Sequence, residues 1–184
     1  MFDKITKFLF RRRTAFLPFA TIAMLILAKP GVTGFVVGLA LALIGESMRI
    51  WSAGHLVKSD VLTMTGPFQW VRNPLYVGSF VIACGYCSMT GGWIVWAIAV
   101  PMFLATHCSA VHWEEKFLLE KFGEPFAEYC RRVPRWIPRP PARDIRSDVP
   151  FSFERMKLNS EQKTIFGTLL VVAVFAVRLW FAQR

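Results

Sequence analysis

Three short stretches of this chain hold residue types that could do chemistry. Residues 66–78 read Gly-Pro-Phe-Gln-Trp-Val-Arg-Asn-Pro-Leu-Tyr-Val-Gly. Gly66-Pro67 is a turn signal, and Pro74 holds Asn73 extended just before a helix that starts around Leu75. The first backbone amides of such a helix lack intrahelical partners and can hold a ligand carboxylate. Glu114-Glu115 opens the second stretch, on a helix-prone run from Trp113 to Phe122 that Gly123 ends. Helical spacing sets Glu114 on one face with Leu118 and Lys121, and Glu115 on another. The third stretch is a pair, Glu46 and Arg49, one helical turn apart inside an apolar run. Charged groups within a membrane span face a bundle interior or a wet cavity, unless they pair and snorkel to the interface. Cys84 and Cys87 form a C-x-x-C inside an apolar helix, where they read as packing residues rather than a redox pair. His107 and His112 lack the i, i+4 spacing of a helical metal pair and read as interfacial.

The elements that must position these residues are apolar. The chain has 184 residues, 54% of them hydrophobic, and a mean hydropathy of +0.42, which makes a bilayer the expected solvent. A helix crossing the hydrocarbon core needs about 20 apolar residues. Five runs approach that length, Thr14–Lys29, Thr33–Ala53, Leu75–Met89, Trp93–Cys108 and Thr164–Ala182. The expected fold is therefore all-α, a polytopic membrane helix bundle in one domain over residues 1–184. Arg11-Arg12-Arg13 before the first run resembles a signal peptide, but Lys29-Pro30 ends that run without a cleavage pattern, so an uncleaved span is expected. Gly31, Gly34, Gly38 and Gly45 let helix backbones approach closely, and Thr90-Gly91-Gly92 makes a tight hairpin turn between the third and fourth spans.

The net charge of +10 is an orientation signal rather than a nucleic-acid one. Basic residues crowd the N-terminus, the segment 54–74 and the long segment 113–160, whereas the opposite loops hold only Lys29. The positive-inside rule then places the N-terminus and both polar blocks in the cytosol. Arg178 and Arg184 fit that rule less well. The arginines around the Pro-rich segment Pro134–Pro141 suit an anionic leaflet, and a bacterial inner membrane is the expected location.

These blocks, with Gly45-Glu46-Ser47-Met48-Arg49 and Phe122-Gly123-Glu124-Pro125-Phe126-Ala127-Glu128-Tyr129, resemble the isoprenylcysteine carboxyl methyltransferases and the related phospholipid methyltransferases. The motif core covers residues 45–138. The resemblance implies a small integral membrane methyltransferase that uses S-adenosylmethionine, without a metal. The absence of Gly-x-Gly-x-x-Gly agrees that it is no soluble Rossmann enzyme. Carried over residue by residue, the cofactor contacts fall on Asp60, Val61, Leu62, Thr63, Phe68, Asn73, Pro74, Leu75, Tyr76 and Glu114. Glu114 would accept from ribose hydroxyls, and Phe68 or Tyr76 would meet adenine or the sulfonium face-on. Glu46, Arg49 and Asn73 are the candidate catalytic residues, with Glu46 as the nearest base for an amine acceptor and Arg49 as a cation for a carboxylate.

Two departures bear on substrate. The family's His in Arg-His-Pro is Asn73 here, and an arginine that the carboxyl methyltransferases place four residues before the cofactor glutamate is Ala110. The segment between Gly54 and Asp60 is also shorter. A lipophilic acceptor other than a prenylcysteine carboxylate is therefore expected, with its nature as amine, carboxylate or thiol open, and the oligomeric state open too. Tyr129-Cys130-Arg131-Arg132-Val133-Pro134 also resembles a block of NADPH-dependent membrane sterol reductases. That reading, or a non-catalytic membrane scaffold or transporter, is the alternative.

Overall fold

Two helices without side chains at their contact points form the centre of the molecule. In the computed structural model, which describes residues 22, 28–57, 61–140 and 149–184, Gly38 faces Gly85 and Gly45 faces Gly78. A Cβ at Gly38 would lie 2.5 Å from the Gly85 carbonyl oxygen, and one at Gly45 would lie 2.6 Å from that of Gly78. Only hydrogen fits there, so the backbones touch. The pairing of lower with higher numbers makes the two helices, α1 (Val32–His55) and α2 (Pro74–Thr90), antiparallel.

Gly91, at φ 70°, caps α2 in the left-handed region, and Gly92 precedes α3 (Trp93–Phe122). The expected hairpin turn is in place. At 1.5 Å per residue the 30 residues of α3 reach about 45 Å, more than a hydrocarbon core of about 30 Å. Its last turns, with Glu114 and Glu115, therefore project past the apolar stretch, as its helix propensity predicts. Gly123, at φ 60°, ends it, and the amphipathic α4 (Glu124–Arg132) follows. Short α5 (Phe153–Leu158) is capped by Ser152, whose hydroxyl accepts from the Arg155 amide. Helix α6 (Glu161–Ala182) returns along α1 and α2.

All the described regular structure is helical, with six α-helices and a short 3-10 turn at Gly66–Gln69. The molecule is an all-α membrane bundle. Helices α1, α3 and α6 are long and apolar enough to cross a membrane, and α2 is shorter at 17 residues. Four of the five expected spans thus match helices. The first, Thr14–Lys29, lies outside the described residues except for Ile22, Ala28 and Lys29. Phe175 of α6 is fully buried against Ala42 of α1 and Met89 of α2. The outward faces of α1, α3 and α6 carry exposed Leu43, Ile98 and Leu170, as lipid contact requires.

Because α1 and α2 run antiparallel and Glu161 meets Arg49, the end of α1 and the starts of α2 and α6 gather at one end. The end of α3 joins them through α4 and its Pro-rich tail. A second core of Phe126, Tyr129 and Val133, with Leu62, Leu118 and Phe122 around it, packs that end.

Candidate functional site

The polar end is built on one carboxylate. Glu115 is 9% exposed. Its Oε1 accepts from Asn73 Nδ2 at 3.1 Å and lies 3.3 Å from Arg72 Nη1, while Oε2 accepts from Arg135 Nη2 at 2.5 Å. Three segments distant in sequence meet there, the start of α2, the end of α3 and the tail after α4. Backbone bonds reinforce the join, with the Arg72 amide donating to Pro134 at 2.9 Å and the Arg139 amide to Trp70 at 3.0 Å. Tyr129 donates its hydroxyl to the Phe68 carbonyl at 2.7 Å. Burial pushes that phenol well above its ordinary range, so it remains a donor. Burial also raises the Cys130 thiol, which accepts from Arg72 Nη1 at 2.7 Å.

These struts enclose one wall of a cavity of about 930 Å³ that runs from the polar end down between α2, α3 and α6. Val61, Leu62, Thr63, Phe68, Asn73, Pro74, Leu75, Tyr76 and Glu114 all line it, although they come from separate blocks of sequence. Arg49 lines it as well. Asp60 lies outside the described residues. Glu46 is not on the wall. It is buried, and its Oε2 accepts from Thr168 Oγ1 at 2.9 Å, which is on the wall. The other Glu46 oxygen has no hydrogen-bond partner.

Two sequence alternatives are thereby resolved for Arg49. Its guanidinium binds Glu161 as a fork, Nε to Oε1 at 2.7 Å and Nη2 to Oε2 at 2.9 Å, rather than Glu46. It also donates to Ser79 at 2.5 Å and to Thr164 at 3.2 Å. Its charge is matched inside the cavity wall, so a ligand carboxylate would have to compete with Glu161. Asn73 spans two roles, lining the cavity while its amide braces Glu115. Glu115 lines the cavity too, so the expectation that it looks elsewhere is corrected, because the cavity wraps around the end of α3. Its two oxygens are nonetheless committed to cations and amide.

Sequence reasoning missed several residues. Glu161 opens an apolar span and reads as an ordinary first-turn acid, and only the return of α6 brings it to Arg49. His107 lines the cavity, stacked on Phe103 with ring centroids 3.6 Å apart and edge-on to Tyr76 at 5.7 Å. Its spacing from Glu114, two turns on one helix face, was a legible signal. Among the described residues no three His, Cys, Asp or Glu side chains group as a metal site. Cys87 is buried in packing with Val95 and Ala99.

The upper cavity offers aromatic faces, a carboxylate and an amide; the lower part offers Met102, Phe103, Ile82 and Val171 with a few hydroxyls. A polar moiety at one end and an apolar tail at the other would both be accommodated. A cobalt-zinc-cadmium resistance protein of Cupriavidus metallidurans is 35% identical over 104 residues, 55% of this chain and 46% of the relative. The protein-S-isoprenylcysteine O-methyltransferase of Homo sapiens is 34% identical over 119 residues, 56% of this chain and 40% of that enzyme. The enzyme of the same name from Rattus norvegicus is 32% identical over 117 residues, again 40% of its length. The chain therefore spans less than half of these relatives. No solved structure gives a significant match. The phospholipid methyltransferase family profile matches residues 31–125, just over half of the chain and all of the α1–α2–α3 unit that frames the cavity, so the chain belongs to the phospholipid methyltransferase family.

Proposed function

We propose that this protein is an integral membrane methyltransferase that takes its methyl group from S-adenosylmethionine and delivers it to a lipophilic acceptor. The observation that carries the reading is the single cavity joining Phe68, Asn73, Tyr76 and Glu114 at its polar end to an apolar lower half. That chemistry fits the cofactor. Glu114 would accept from ribose hydroxyls, Asn73 can donate or accept, and the faces of Phe68 and Tyr76 suit adenine or a sulfonium cation. When bound, S-adenosylmethionine supplies an electrophilic methyl on that sulfonium.

The chain's own part is to orient and to exclude water. Struts through Glu115 hold the cofactor segment against α3, so the two walls of the site keep their separation. Packed Phe122, Phe126 and Leu118 keep water from the polar end, and positioning with desolvation carries most of an in-line methyl transfer. Glu161 neutralises Arg49, and buried Ala110 offers no charge, which argues against a prenylcysteine carboxylate. The acceptor reaches the site with its tail between helices. The basic residues of the segments 54–74 and 113–160 support a cytosolic site facing an anionic leaflet.

Calorimetric titration of detergent-purified protein tests the cofactor. Saturable heat with S-adenosylhomocysteine and none with NADPH is expected. Binding of NADPH alone would move the protein to the reductase reading.

A further inference from the structure

We infer that Tyr86 and Thr168, backed by Glu46, form a polar subsite in the apolar half of the cavity that receives a hydrogen-bond donor on the acceptor's tail. The acceptor is then a lipid with a hydroxyl or N–H in its apolar part, rather than a plain alkyl or prenyl chain. The inference rests on the methyltransferase reading above, because it needs the cofactor at the polar end. Leu75, Ser79, Ile82 and Tyr86 lie on one face of α2, at i, i+4, i+7 and i+11, and all four line the cavity. That helical separation sets Tyr86 about 16 Å below the cofactor segment. Thr168 of α6 lines the cavity beside it. The wall residues about one turn away, Ile82 and Ala83 on α2 and Val171 on α6, are apolar.

The hydrogens of this pair are already committed. Tyr86 donates its hydroxyl to Thr168 Oγ1 at 3.2 Å, and Thr168 donates to Glu46 Oε2 at 2.9 Å. A carboxylate oxygen accepts, so the chain runs one way, from phenol to threonine to Glu46. Two further hydroxyls on the wall are used alike. Ser79 donates to the Leu75 carbonyl at 2.9 Å, and Thr106 to the Met102 carbonyl at 2.9 Å. All four oxygens can take a hydrogen from a ligand, and none has one to give.

A hydroxyl or N–H in the tail therefore satisfies the subsite, whereas a ketone, ester or carboxylate sets lone pairs against lone pairs. Glu46 sets the direction from behind the wall. It is 8% exposed, and its other oxygen has no hydrogen-bond partner. Arg49 does not pair with it, being forked onto Glu161. A carboxyl group inside a span is costly and marks function. Here it draws the Thr168 hydrogen toward itself, which makes the phenol oxygen a stronger acceptor along the chain. Glu46 is thus a positioning residue for the subsite. Thr168 lies beyond the residues 31–125 that the family profile matches, so the profile does not define this feature.

Three ligands of one chain length test this. They are oleyl alcohol, ricinoleyl alcohol, which adds a hydroxyl beyond mid-chain, and the ketone in which that added hydroxyl is oxidised. Each is titrated into detergent-purified protein loaded with S-adenosylhomocysteine, with affinities referred to the ligand concentration in the micelle. Ricinoleyl alcohol should bind about three- to tenfold more tightly than oleyl alcohol, and the ketone no more tightly than oleyl alcohol. In Tyr86→Phe, which keeps the ring, that preference should vanish. Its affinities for oleyl alcohol and S-adenosylhomocysteine should stay within about twofold of the parent. Equal affinity for the two alcohols, an equal gain from the ketone, binding of none of the three, or a preference that survives in Tyr86→Phe overturns the inference. The comparison on the parent protein decides the matter even where the variant does not fold. Failure of the parent to bind S-adenosylhomocysteine at all would instead defeat the methyltransferase reading.

Discussion

On the proposed function the adjacent acids at the end of α3 do different work, and the difference is measurable. Glu115 is buried with Arg72, Arg135 and Asn73 around it, so its loss leaves cations without a partner. Glu115→Gln should lower the thermal stability by about 1–3 kcal/mol, the scale of a buried hydrogen bond to a charged group. On the proposed function, Glu114→Gln should weaken S-adenosylhomocysteine binding about ten- to a hundredfold. Calorimetry on both variants, with melting curves beside it, separates the roles. An equal affinity loss at the two positions, or no change of stability at Glu115, would refute the division.

At the scale of elements, the α1–α2 contact and helix α4 make contrasting predictions. Gly38→Ala places a Cβ 2.5 Å from the Gly85 carbonyl oxygen and 2.6 Å from Met89 Cγ. The helices must separate, at a cost of about 1–3 kcal/mol. Gly167→Ala on α6 meets nothing within 4 Å and should be neutral or stabilising through helix propensity. Melting both variants in one detergent tests this, and similar behaviour would show that close approach is unimportant. On α4, hydrogen bonds from Arg131 and then Arg132 hold the Glu128 carboxyl below its ordinary range. A carboxyl depressed in the folded state stabilises above its unfolded value, and that contribution is lost as pH falls through the lowered one. The parent protein should therefore melt slightly higher than Glu128→Gln at neutral pH and equally in acid. The group is fully exposed, so the difference is small, and an advantage that persists below the carboxylate range would contradict it.

For the whole molecule the question is which way the polar end faces. The end that holds α4 and the Pro-rich tail also holds most of the described basic residues, and the positive-inside rule predicts a cytosolic position for that end. Ile137 is 76% exposed there. A membrane-impermeant maleimide should label Ile137→Cys strongly in inside-out vesicles and weakly in right-side-out ones, above the background of the native cysteines. The reverse pattern would place the site outside.

Much of this architecture is local and so was open to reading from the chain alone. Apolar runs of span length, Gly91-Gly92 after Thr90, and Gly123 after Phe122 depend on side chains a few residues apart, and α1, α2, α3 and α6 follow from them. The residues that the family resemblance singles out lie in two short blocks, and the described ones share one cavity wall. What only the tertiary structure decided are the partnerships across large separations. Arg49 chose Glu161 over Glu46, three residues away, because α6 returns along α1 and offers a carboxylate with both oxygens in reach of the guanidinium fork. Glu115 became a strut because the tail after α4 folds back onto residues 70–73. His107 lines the cavity because the rotation of α3 against α2 sets Tyr76 beside it. Long-range packing sets such choices, and no helical period or local spacing encodes which distant segment will arrive.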